Sequence, residues 1–184
     1  MHTPLSLLRQ FIMEYGSLLG ASWATVFTLY VLGLRQQNPL FILMAVLGFV
    51  AILPLALFLG ARIKKRTLQL GITLSPLFSL LNIFSMFMYA CILCGAIEFA
   101  YFQYLDKGTL IQSHLAMLTQ ANARQLYTQM GMKDTYEQLL DMLHQLDTLT
   151  AFDKTMLLFS QNFWTSVLLA FPVTLVNRFY KPKS

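Results

Sequence analysis

Charge is scarce in this sequence. Asp, Glu, Lys and Arg make up 11% of its 184 residues, where a soluble domain carries about 25%. That scarcity excludes an ordinary water-soluble fold, because a single small domain leaves much of its surface in water. Cysteine is scarce too: Cys91 and Cys94 are the two in the chain, and both lie inside an apolar run. Their spacing puts them on one helix face. A redox C-x-x-C belongs in a soluble βαβ setting, so the pair reads as small core or lipid-facing residues. Nucleotide and hydrolase motifs are missing: no phosphate-binding loop, no Gly-rich dinucleotide turn, no H-E-x-x-H and no G-x-S-x-G. No span carries the charge cluster of a pump or the paired groups of an intramembrane protease. An enzyme is therefore not expected, and neither is a cofactor. No cleavable leader is legible: Arg9 precedes an apolar run, but Glu14 interrupts it and no small-x-small site follows before Arg35. The first span is expected to be an uncleaved anchor.

What the sequence has is long apolar stretches. Hydrophobic residues make up 57% of it and the mean hydropathy is +0.58. A bilayer resolves that excess, since a crossing helix needs about 20 mostly apolar residues. Four stretches qualify: Tyr15–Leu34, Leu40–Ala61, Pro76–Ala100 and Thr155–Asn177. Each satisfies its backbone internally as a helix, and none alternates as a barrel strand does. The polar turn Arg35-Gln36-Gln37-Asn38 leads into Pro39, which suits the first turn of a helix. Pro54 and Pro172 fall inside spans, where prolines are tolerated. Thr67–Ser75 is predicted to be an interfacial turn, with Pro76 starting the third span. Tyr101, Phe102 and Tyr104 form an aromatic belt at its far end. Residues 1–14 read as a separate interfacial helix, with Leu5, Leu8, Phe11 and Ile12 in one stripe and Arg9 and Glu14 off it. The expected fold is all-α: an integral membrane four-helix bundle, one domain over 1–184, with an extramembrane helical hairpin between spans three and four.

The net charge of +5 is spread between apolar runs. That distribution reads as membrane topology, not as a nucleic-acid surface. Arg62, Lys64, Lys65 and Arg66 fill the second connection; Arg178, Lys181 and Lys183 follow the last span; Arg9 lies near the N-terminus. The positive-inside rule then places both termini and the 62–66 stretch in the cytoplasm, and about 106–154 outside. That outer segment holds four basic and six acidic residues. Ile111, Leu115, Leu118 and Leu126 follow helical spacing, Gly131 breaks it, and Asp134 with Glu137 resembles a capping box opening a new helix. Tyr136, Leu139, Leu140, Leu143 and Leu146 stripe that helix. Self-packing, the membrane surface and a partner are all open as the cover for these apolar faces.

Few residues suggest chemistry. Asp141, His144 and Asp147 step by three, but three-residue steps drift around the helix and no fourth metal ligand accompanies them. They read as a solvated face. His114 has no partner identifiable in sequence. Glu98 ends the third span, and an ionisable group at membrane depth is a functional candidate by default. Gln161 and Asn162 lie at similar depth, and a bond among them would serve packing or a substrate or proton role. Asn82, nearer the cytoplasmic half, reads the same way. Gly16, Gly20 and Ala24 form a small-residue face on the first span, for a neighbouring helix of the chain or for a homo-oligomer.

The chain also resembles a bacterial family catalogued as domain of unknown function 4199. Tyr101-Phe102-Gln103-Tyr104-Leu105-Asp106 is similar to the family's aromatic exit from span three. Met130-Gly131-Met132 before Tyr136-Glu137-Gln138 is similar to its Gly-Met break before an acidic helix. The chain departs at Leu70-Gly71-Ile72-Thr73, which is more apolar than the family's approach to span three. The resemblance runs from Glu14-Tyr15-Gly16 to the basic tail and implies four spans with helices before the last. It carries no catalytic residues over. The family's genes often lie beside one for a membrane-associated glycosyltransferase, which makes such an enzyme the partner the resemblance implies. The expected function is a non-enzymatic scaffold or regulatory subunit in a bacterial inner membrane. The alternative is a small translocator of a lipid-linked sugar, using Glu98, Asn82 and Asn162.

Overall fold

A computed structural model describes residues 3–72 and 75–179, apart from the side chain of Ala121. Met1, His2, Thr73, Leu74, Lys181 and Lys183 lie outside the described residues, so the basic tail and the middle of the turn before span three are not placed. The described elements are all helical. They run α1 Pro4–Arg35, α2 Pro39–Gln69, α3 Pro76–Ala100, α4 Thr109–Leu118, α5 Ala121–Gln129, α6 Lys133–Asp147 and α7 Ala151–Phe179. Four helices are long and apolar enough to cross a membrane: α1, α2, α3 with its extension to Leu105, and α7, of 32, 31, 30 and 29 residues. At 1.5 Å per residue each is about 45 Å long, close to the full thickness of a bilayer with its headgroups.

Helix starts follow local chemistry. Thr3, Asn38 and Ser75 cap α1, α2 and α3 through their side-chain oxygens, and each is followed by proline in the first turn. Pro54 and Pro172 sit inside α2 and α7 without ending them. The third long helix widens into one π-turn over Tyr101–Leu105, closed by Asp106 N–H donating to Tyr101 O at 2.8 Å. The Asp106 carboxylate then accepts from Thr109 Oγ1 (2.9 Å) and Leu110 N–H (3.0 Å), which anchors the first turn of α4.

α3 is the central helix. α1 and α7 pack along it, α2 packs along α1, and α2 meets α7. One stripe of α3 (Ile83, Met86, Phe87, Ala90, Cys91 and Cys94) is fully or almost fully buried. The bundle has a basic end and an opposite end. At the basic end the Arg66 guanidinium lies 5.1 Å over the Phe11 ring, and Lys64 Nζ donates to the Asn177 and Arg178 carbonyls at 2.7 and 3.1 Å. At the opposite end α4 and α6 pack on each other, α4 packs on α1, and α5 packs on α6. The expected hairpin is present with its first arm divided at Thr119–Gln120. Tyr136 ties the arms together, its hydroxyl donating to Leu118 O at 3.0 Å and its ring meeting Tyr127. Gly131 turns the chain with φ +72°, in the left-handed region that glycine adopts without strain.

Several boundary expectations are corrected. Residues 1–14 do not form a separate helix: from Pro4 onward they are the first turns of α1. Leu8 and Ile12 continue the buried stripe through Gly16, Leu19 and Trp23, while Arg9 and Glu14 fall on the exposed face. The expected turn starts later than Thr67, because α2 runs on to Gln69 with Thr67 buried and its hydroxyl bonded to Ile63 O. Met132, not Asp134, precedes α6, and no side chain caps it. Glu137 instead faces Lys133, one turn before it. Of the expected aromatic belt, Tyr104 is turned outward, whereas Phe102 is buried and Tyr101 packs edge-on against Phe27.

Candidate functional site

Glu98 is the buried acid of the bundle, 3% exposed. The stripe that carries Cys91 and Cys94 inward carries Glu98 inward one turn later. It lies seven residues before Leu105, about 10 Å below that end of the helix. Asn162 of α7 donates through Nδ2 to Glu98 Oε1 at 3.1 Å, and the Cys94 thiol donates to the same oxygen at 3.4 Å. Glu98 Oε2 has no partner among the described residues. Below this pair, the Ser166 hydroxyl donates to Asn162 O at 2.7 Å, which leaves the Cys91 thiol as donor to Ser166 Oγ at 3.0 Å. Phe159 lies against Gly95, where an added Cβ would come within 3.0 Å of its ring. Polar groups thus stitch α3 to α7 at two points, Glu98 with Asn162 and Cys91 with Ser166. Both cysteines are free thiols with no exposed surface.

Glu98 lies at the floor of a crevice of about 380 Å³. α1 contributes Trp23, Val26 and Tyr30, α2 contributes Ala45 and Phe49, and α7 contributes Leu158 and Gln161. The crevice exists because α2 and α7, joined at the basic end through Gly60, Val173 and Asn177, stand apart toward the other end. Tyr30, Phe27, Leu158 and Gln161 also line a larger cavity of about 740 Å³ beneath the cap, with Ile111, His114, Leu143 and Leu146 overhead. At that junction the Tyr30 hydroxyl meets His114 Nε2 at 2.6 Å, while His114 Nδ1 faces Leu110 O at 2.8 Å. In the neutral ring the carbonyl requires the proton on Nδ1, so Tyr30 donates to Nε2. Eighty-four positions separate the two residues, which is why His114 shows no partner in sequence.

The structure brings Glu98 and Asn162 together and leaves Asn82 apart. Asn82 is 16 positions earlier on α3, about 24 Å along the helix, with Met86, Phe87 and Ala90 closed between them. It borders a different pocket beside Leu8 and Ile12, and its Nδ2 has no partner among the described residues. Gly16 and Gly20 face α3: a Cβ on Gly16 would come within 2.7 Å of Met86 O, and one on Gly20 within 2.9 Å of the Ala90 Cα. Ala24 is buried on the same face. Asp141, His144 and Asp147 are exposed on α6, and among the described residues no cluster of three or more His, Cys, Asp or Glu is placed to hold a metal.

The family model described as "Protein of unknown function (DUF4199)" matches residues 14–178. The chain belongs to this family. The match takes in all of α2 to α6, most of α1 and α7, and every residue of the Glu98 crevice. No curated protein and no solved structure matches the chain.

Proposed function

We propose that this protein is a non-enzymatic, multi-pass component of a bacterial inner membrane that scaffolds or regulates a membrane complex. The observation that carries the reading is a bundle packed solid through its middle and bearing an apolar-studded cap. Met86, Phe87, Ala90 and Cys91 fill the middle with no exposed surface, while Leu126, Met130, Met132 and Met142 stand exposed on α5, the Gly131 turn and α6. Large apolar side chains grouped on a part that projects beyond the long helices favour contact with another protein. A membrane-associated enzyme such as a glycosyltransferase is the partner proposed. A homo-oligomer would need a face other than Gly16–Gly20, which α3 occupies.

The same reading puts both termini in the cytoplasm and α4–α6 outside. Arg9, Arg62, Lys64, Lys65, Arg66 and Arg178 gather at one end of the bundle, and the positive-inside rule turns that end inward. A cytoplasm-active reporter inserted at Gly131 should be silent, and activity there contradicts the orientation. Affinity purification in mild detergent tests the partner. The full-length chain should carry a second protein in stoichiometric amount, and Leu126→Ser with Met130→Ser should shed it at unchanged membrane abundance. A wild-type chain that purifies alone overturns the scaffold.

The Glu98–Asn162 pair favours a second reading, translocation. If Glu98→Gln abolishes a cellular phenotype at unchanged abundance while the cap variants do not, translocation displaces the scaffold.

A further inference from the structure

We infer that the crevice between α2 and α7 binds a long-chain amphiphile whose hydroxyl end hydrogen-bonds to Glu98. The first ground is the carboxyl itself. Glu98 is almost wholly buried and lines the crevice, yet among the described residues Oε2 has no partner while Oε1 has two. An unsatisfied buried polar atom is costly in a protein interior and calls for an explanation. A hydroxyl in the crevice supplies the missing partner in either state of the acid: it donates to an ionised Oε2 and accepts from a protonated one.

The walls define the rest of the ligand. Val26, Phe27, Ala45, Phe49 and Leu158 make them apolar, and the volume of about 380 Å³ falls within the range of small-molecule sites. The rim on α2 is built from Val46, Phe49 and Val50, all more than half exposed. On a bundle this apolar such a rim meets lipid, so the ligand enters sideways from the membrane. A helix about 10–12 Å across would lie over the crevice without entering it, whereas a single chain fits inside. Tyr30, Phe27, Leu158 and Gln161 continue the walls into the cavity beneath α4 and α6, which gives room for a chain longer than the crevice. The inference is independent of the partner contact proposed for the cap.

Trp23 lines the crevice and is one of two tryptophans in the chain. Full-length Trp164→Phe protein in mild detergent therefore reports on the site through Trp23 fluorescence. Two probes of equal chain length are titrated: a bromine-bearing octadecanol, and the octadecane brominated at the same position, which has no polar end to donate or accept at Glu98. The alcohol should quench Trp23 saturably, and the alkane only in proportion to its partition into the micelle. Glu98→Leu should raise the half-saturating concentration of the alcohol about tenfold or more, the loss of one hydrogen bond to a carboxyl. Val46→Phe, which narrows the mouth from its lipid-facing rim and leaves Glu98 intact, should weaken quenching as well. Equal and non-saturating quenching by both probes overturns the proposal. So does a Glu98→Leu protein that elutes normally and binds the alcohol as before.

Discussion

Two helix seams in this bundle are built by opposite rules. Along α1 and α3, Gly16 and Gly20 remove side chains where the helices meet, and the backbones close on each other. Along α2 and α7, Gly60 meets Val173 and Asn177 at the basic end, and farther up Phe49, Leu158 and Gln161 border an open crevice. Burial follows the same division. Of the most apolar stretch of each helix, 39% of α1 and 44% of α3 is buried, against 17% of α2 and of α7. Lipid is as apolar as a leucine side chain, so helices in a membrane gain little by hiding apolar surface and associate by close packing and polar contacts. The α1–α3 seam therefore holds the bundle together. The upper α2–α7 seam is free to stay open, with the buried acid of α3 lining the opening.

The largest effect should come from breaking the tight seam. Gly20→Val drives side-chain atoms into the backbone of Ala90, and overpacking there should cost about 3 kcal/mol, the upper end of the usual range. The melting temperature in mild detergent should fall by roughly 10 °C, with reduced membrane abundance. Smaller effects belong to the cap. Tyr136→Phe strips the Leu118 carbonyl of its side-chain donor, at a cost of about 1 kcal/mol. Hydrogen exchange should quicken in α4 and α6 while the α1–α3 seam keeps its protection. Tyr30→Phe should loosen α4 from α1 by a similar amount, again visible in exchange and not in abundance. The smallest effect is expected at Lys133 and Glu137, 3.7 Å apart with side chains 63% and 58% exposed. Glu137→Gln should leave the melting temperature unchanged, as exposed pairs contribute little.

Much of the tight seam was legible in sequence and little of the open one. The small-residue face at Gly16, Gly20 and Ala24 is a local pattern, and so are the long apolar stretches, the prolines at 39 and 76 and the break at Gly131. Glu98 and Asn162 could be paired because counting from the span ends puts them at similar depth. Charge misled the boundaries at both ends of the connection to the basic side. Glu14, Arg62 and Arg66 mark limits of spans in the sequence, but on a long helix they lie on the exposed face while Ile12, Ile63 and Thr67 stay buried beside them. The Tyr30–His114 contact joins distant segments and leaves no local signature. The crevice depends on how far α2 and α7 diverge, which no single helix encodes. Asn82 looked equivalent to Asn162 by residue type and was separated from it only by the closed packing of Met86 and Phe87.

The central claim is that the α1–α3 seam supports the fold whereas the charge of Glu98, which lines the open crevice, does not. Parallel melting of wild type, Gly20→Val and Glu98→Gln in one mild detergent tests it directly. Glu98→Gln retains an oxygen for Asn162, so it should melt within a few degrees of wild type while Gly20→Val melts far lower. A Glu98→Gln protein that melts as low as Gly20→Val would contradict the account and make Glu98 a packing residue.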